Sequence, residues 1–162
     1  MRDATLCFLI KKDGDEIKEI CLGMKKRGFG VNRWNGVGGK VNAHEGETIE
    51  EALVRETQEE IGVKINDFYK VAELSFNFPD NKEWDQVVHT YFTEDWEGEP
   101  IESEEMRPEW FHVSKIPFDS MWPDDKHWLP HAINQRIIKG NFSFGENDVI
   151  LNQNIEFVEN LS

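Results

Sequence analysis

The chain has 162 residues, a mass of 18.9 kDa, a formal net charge of −14 and a pI near 4.7. That length suits one domain, 1–162, burying about two thirds of its unfolded surface in one core, and six Trp and eleven Phe supply large apolar bodies for it. So acidic a balance argues against a nucleic-acid polymer or an anionic membrane as partner, since both need a basic face, but it admits a small polyanion whose charge is met by metal ions.

The opening MRDATLCFLIKKDGDE has too short an apolar run for a signal peptide, and no stretch approaches the ~18 apolar residues of a membrane span. We therefore expect a cytoplasmic protein, working as a monomer. Cys7 and Cys21 lie in apolar, strand-like runs and should be reduced and structural. Thr5 to Ile10 and Glu19 to Met24 flank the turn signal Asp13-Gly14 and predict a β-hairpin. The basic Lys25-Lys26-Arg27-Gly28-Phe29-Gly30 that follows reads either as a solvated loop or as a segment whose Lys25 meets phosphates or a base edge.

The most informative stretch is Asn35 to Val63, NGVGGKVNAHEGETIEEALVRETQEEIGV. Gly36, Gly38 and Gly39 can take backbone conformations closed to other residues and let the main chain approach a ligand. Thr48 with Glu51 three residues on forms a capping box, so a helix should start at Ile49 and end near Gly62. Advancing 100° per residue places Ala52, Leu53, Glu56 and Glu60 in one stripe, with Glu59 at its border. These glutamates read either as a solvated helix surface or as oxygen ligands for a hard divalent cation, which would relieve the repulsion between carboxylates four residues apart.

Beyond the helix, Phe68 to Phe78 alternates as a strand, Pro79-Asp80-Asn81 breaks it, and Val87 to Phe92 makes a second strand paired with the first. TEDWEGEPIESEE reads as an acidic surface loop ending at Glu105, and a strand begins at Met106. Met121-Trp122-Pro123-Asp124-Asp125 prepares a second helix, expected to run to about Lys139 and stop at Gly140, with Pro130 as an irregularity inside it. Phe142 to Phe144 and Val149 to Phe157 close the chain as two short strands.

Gly39, Glu47, Arg55-Glu56-Thr57-Gln58-Glu59-Glu60, Ile61, Gly62 and Val63 resemble the Nudix box, G-x5-E-x7-R-E-U-x-E-E-x-G-U, placed here at 39–63. Two departures stand out: Thr57 replaces an aliphatic residue, and seven residues rather than five separate Gly39 from Glu47. Outside the box, GMKKRGFG, RWNGVGGKV, ESEEMRPEWF and IPFDSMWPDD resemble the animal MutT-homologue branch of that family, whose enzymes hydrolyse oxidised purine nucleoside triphosphates such as 8-oxo-dGTP and 2-hydroxy-dATP.

The resemblance implies an α/β/α sandwich, with a mixed sheet between the box helix and a C-terminal helix. It implies magnesium, or manganese in its place, on Gly38 main chain, Glu56, Glu59, Glu60 and Glu105. Arg55, four residues before Glu59 and on the flank of the stripe, is expected to orient that carboxylate. A small-molecule nucleoside triphosphate would place its base among Thr5, Lys25, Phe29, Asn35, Phe76, Trp122, Asp124 and Asp125. Gln86 stands where that branch has an apolar methionine. Asn35 offers a donor and an acceptor to a base edge and Trp122 a π-face. By themselves Asp124 and Asp125 suit a helix start; with the resemblance, one of them becomes a protonated donor to the base. Two other functions stay open: a Nudix hydrolase of another nucleoside diphosphate derivative, and a catalytically silent nucleotide-binding module.

Overall fold

The computed structural model describes residues 1–161. The expected hairpin forms from β1 (Arg2–Asp13) and β2 (Glu16–Lys25), turning on Gly14 at φ 63°. β1 then changes partner: Ile10 to Asp13 pair with β2, whereas Arg2 to Leu9 run parallel to β5 (Gln86–Glu97). The rest of the sheet comprises β3 (Trp34–Asn35), β4 (Lys64–Asn77), β6 (Met106–His112), β7 (Ile137–Phe144) and β8 (Ile150–Val158). Its order is β3-β2-β1-β5-β4-β7-β8, with β6 also on β2; β4 and β7 make a second parallel pair and the other neighbours are antiparallel. A mixed sheet between two helices is the sandwich the sequence predicts.

Alternation along β1 divides the core. Phe8 and Ile10 point to the face under α2 (Asp125–Ile133), joining Phe92, Trp128 and Phe142. Cys7 and Leu9 point to the face under α1 (Ile49–Ile61), with Leu53, Ile61 and Tyr91. Both cysteines are buried and free, and burial pushes each thiol up to about 12, as expected for small structural hydrophobes.

α1 begins at a complete capping box: Glu51 N–H donates to the Thr48 hydroxyl at 3.1 Å and Thr48 N–H to the Glu51 carboxylate at 2.9 Å. Gly62, left-handed at φ 72°, ends it. α2 corrects the sequence reading. It stops at Ile133, Gln135 turns the chain at φ 66°, and the stretch expected to continue the helix to Lys139 is instead the start of β7. Ile133 and Ile137 fit a helical spacing, but Ile138, Gly140, Phe142 and Phe144 alternate into the core, and pairing to β4 and β8 decides. The acidic "loop" is also shorter than expected, because Thr93 to Glu97 continue β5 and pair back toward Lys64 and Asp67.

The glycines have a purpose the sequence reading missed. Where β2 leaves β1, the segment Val37 to Val41 lies against it, with Thr5 N–H donating to Gly39 O at 2.8 Å and Val37 N–H to Cys7 O at 2.9 Å. None of Gly36, Gly38 and Gly39 has positive φ, so no special conformation is needed there. What matters is space: a Cβ on Gly38 would overlap the Thr5 carbonyl, and one on Gly36 would meet the Cys7 carbonyl at 2.9 Å. Gly38→Ala is therefore expected to lower stability by about 1–3 kcal/mol or more, read as a fall in Tm. An unchanged Tm would mean that this strap moves off β1 without cost.

Candidate active site

α1 carries its carboxylates past the strap. The Glu56 carboxylate occupies the space a Gly39 side chain would fill, since a Cβ there would come within 2.6 Å of it. The two extra box residues therefore leave this junction in place. They are absorbed by a single 3-10 turn, Ala43–Glu45, closed by Gly46 at φ 84°. Thr57, the other departure, is buried, and its hydroxyl donates to Leu53 O at 2.8 Å, so it fits its apolar surroundings without an unpaired group.

Arg55 joins the box together. It donates to both Glu47 oxygens at 2.7 and 3.0 Å, to Glu56 at 2.7 Å, to Lys40 O at 3.1 Å and, at 3.2 Å, to Glu59. Of these the bond to Glu59 is the longest, and the closest partners of Arg55 are Glu47 and Glu56. Its hydrogen bonds hold Glu47 down to about 2. Glu59 is the border residue of the stripe, with its side chain 59% exposed, whereas Glu60 is 6% exposed. Burial raises Glu56 above the usual carboxylate range against the pull of Arg55, and raises Glu60 to about 7.

Glu105 comes from the loop before β6. Arg27 Nε donates to it at 2.7 Å, and Lys25 Nζ stands 3.5 Å away. Much of the basic cluster singled out in the sequence is thereby paired with acids, Lys26 with Glu102 at 2.6 Å included. In this arrangement no three His, Cys, Asp or Glu side chains stand close enough together to form a metal cluster among the described residues. Two observations nevertheless suit a cation at the Glu56 and Glu60 end. Glu60 Oε2 is buried without a hydrogen-bond partner, and the donors available are hard carboxylate oxygens beside the Gly38 main chain.

On the other side of the strap, toward α2, lies a cavity of about 550 Å³. Thr5, Lys25, Phe29, Asn35, Phe76, Trp122, Asp124 and Asp125 all line it, as do Gly38, Gly39 and Gln86. Asp124 and Asp125 do stand at the start of α2, as N-cap and first residue, but they are 3% and 2% exposed and the Asp124 side chain makes no capping hydrogen bond, so both carboxyls serve the cavity side rather than the helix end. Trp128 Nε1 donates to Asp124 Oδ2 at 2.8 Å, and Asp125 Oδ2 has no partner. Burial pushes Asp124 up to about 6, and burial together with the neighbouring Asp124 charge raises Asp125 well above the ordinary value. The Asn35 carboxamide oxygen accepts from Gly36 N–H at 2.8 Å, which fixes the amide for reading an edge.

Residues 1–132 match the family model described as NUDIX domain. The chain belongs to the NUDIX domain family. It is 44% identical over 142 residues to the mouse oxidized purine nucleoside triphosphate hydrolase, covering 88% of this chain and 89% of that protein. Identity to the zebrafish protein of the same name is 45% over the same shares. The crystal structure of the Bacillus halodurans mMutator MutT protein superposes with a TM-score of 0.81, covering 96% of this chain and 98% of that one at 23% identity. NUDIX hydrolases generally use divalent metal ions. Within this NUDIX fold the sequence reading placed Gly39 and Glu47 in the box without giving either a role at the site, and it gave Trp128 none. The box spacing marks the first two, and the i,i+4 step from Asp124 marks the third. It also missed Trp84, whose 3-10 turn, Lys82–Trp84, brings it to the cavity wall beside Phe29 at 5.2 Å; nothing in its local sequence signals that.

Proposed function

We propose that this protein hydrolyses oxidised purine nucleoside triphosphates, 8-oxo-dGTP and 2-hydroxy-dATP among them, to the monophosphate and pyrophosphate, and so clears damaged precursors from the nucleotide pool. The observation that carries the reading is one continuous site: an aspartate-bearing cavity lined at Gly38 and Gly39 by the strap against which the Glu56 carboxylate of α1 packs. The names of the mouse and zebrafish relatives support the substrate class, as does the 8-oxo-dGTP diphosphatase of Escherichia coli, 35% identical over 93 residues.

Glu56, Glu59, Glu60, Glu105 and the Gly38 main chain would hold magnesium, which when bound would neutralise charge on the triphosphate and activate water. The chain's own residues do the rest. Glu56 and Glu60 are the carboxylates placed to take a proton from an attacking water, and Arg55 opposes the burial that raises Glu56 and aims it across Gly39. Lys25 at the cavity edge meets the phosphates, while Asn35, Asp124 and Asp125 read the base edge and Trp122 bears on its face. We place the protein in the cytoplasm, where buried thiols such as Cys7 and Cys21 stay reduced.

Arg55→Ala is expected to lower the rate by about 10²-fold or more while leaving the preference among purines unchanged, because Arg55 touches carboxylates and not the cavity. Steady-state kinetics on two purines would show it, and a switch of preference would contradict the placement. The deciding test of function is pyrophosphate release over a panel of oxidised and normal nucleoside triphosphates with magnesium. No preference for oxidised purines would leave a hydrolase of another nucleoside diphosphate derivative, and no release from any substrate would leave a binding module.

A further inference from the structure

We propose that Arg33, which does not line the cavity, is a positioning residue that sets base discrimination. It braces Trp122 and stands as the fixed counter-charge to the Asp124–Asp125 pair. This rests on the base-pocket reading above.

Three observations place Arg33 there. Its guanidinium lies 4.1 Å from the centroid of the Trp122 ring, a cation–π contact that resists rotation of the indole. Its Nη2 is anchored at 3.1 Å by Asp148, from the turn between β7 and β8. That turn holds Asn147 and Asp148 both at φ 58°, a conformation that costs free energy in residues other than glycine and that delivers the Asp148 carboxylate to Arg33. Lastly, Arg33 lowers the proton affinity of both aspartates, opposing their burial.

The other charged groups around the pair are Arg2 of β1, Lys25 of β2 and Glu83 of the β4–β5 loop, which line the cavity, and Lys126 and His127 on α2 itself. Arg33 is the cation that bears on both carboxyls, and the one tied to a cavity wall as well. It thus couples two properties that a base-reading site must fix together: where the aromatic wall stands, and how many protons the aspartates hold. An ammonium in its place would keep the charge but lose the planar stack on the indole.

The test separates the two roles. Titration of the aspartate side-chain carboxyls by ¹³C NMR in the free protein is expected to move the Asp124 midpoint up in Arg33→Met and to leave it in place in Arg33→Lys. In kinetics, KM for 8-oxo-dGTP should rise about tenfold in Arg33→Met with kcat within about twofold, and Arg33→Lys should restore it only in part. Asp148→Asn, which keeps Arg33 but frees it, covers the case in which Arg33→Met fails to fold; it should raise KM in the same direction. Unmoved carboxyl midpoints in folded Arg33→Met, or a fall in kcat at unchanged KM, would overturn the proposal, as would an unchanged KM in Asp148→Asn. If oxidised purines prove not to be substrates, wild type and variants alike will be inactive on them. The carboxyl titration, made without substrate, then still decides the role of Arg33.

Discussion

Glu60→Gln and Glu56→Gln are each expected to reduce magnesium-dependent turnover by about 10²–10⁴-fold with the fold retained. Glutamine keeps the volume of either side chain and removes its charge and its proton affinity. For Glu60 the stability change has a definite sign. Its folded pKa, about 7, lies above the ordinary value of 4.5, so the unfolded chain releases that proton more readily and stability falls as pH rises from about 4.5 to 7. Glu60→Gln removes that loss and should raise Tm at pH 7.5 while it abolishes activity. A group retained at the expense of stability is the mark of a functional one. Near-normal turnover of both variants at limiting magnesium would reject the assignment of these carboxylates, whatever the Tm.

The parts of the molecule legible in the sequence are those in which local chemistry and tertiary packing agree. The capping box at Thr48 and Glu51 and the stop at Gly62 bound α1 where spacing alone puts them, since each satisfies its own backbone groups without outside help. α2 failed because Ile133 and Ile137 satisfy a helical period by accident, while the strand that claims Ile137 is chosen by partners far away in sequence, at Ala72 and Val158. The glycine strap shows a subtler gap. Its residues stand out in the sequence, but the reason for them does not, because the Thr5 and Cys7 carbonyls that exclude a Cβ lie on β1, far earlier in the chain and without any local signal. Likewise the pairing of Arg55 with Glu47 and Glu56 depends on how an inserted 3-10 turn folds back, and Arg33 over Trp122 depends on a turn more than a hundred residues later.

Asp124→Asn is expected to change the hydrolysis of 8-oxo-dGTP and 2-hydroxy-dATP unequally, whereas Trp122→Ala should weaken both. The two bases differ in donors and acceptors at a few edge atoms, so a dry site must present partners that suit each. Asp124 already accepts from Trp128 Nε1, and Asp125 has a buried oxygen with no partner, so the pair has one position free to donate when protonated and to accept when not. Raised proton affinity keeps a proton on the pair into the neutral range, and moving it between carboxyls inverts the pattern offered to a base. Asparagine can still accept from Trp128 but fixes the other position as an NH₂ donor, so the base that needs an acceptor there loses about 1–3 kcal/mol and the other loses little. The same substitution should stabilise the free protein at neutral pH. Asp124 is raised from 3.8 to about 6, so its burial lowers stability progressively as pH climbs through that window, and an uncharged side chain escapes the loss. Steady-state kinetics on both substrates, with Tm measured at pH 4 and pH 7.5, would check each half. Equal losses on the two oxidised purines would reject the proton-exchange account and turn attention to Gln86, which lines the same cavity beside Phe76, its partner on the neighbouring strand.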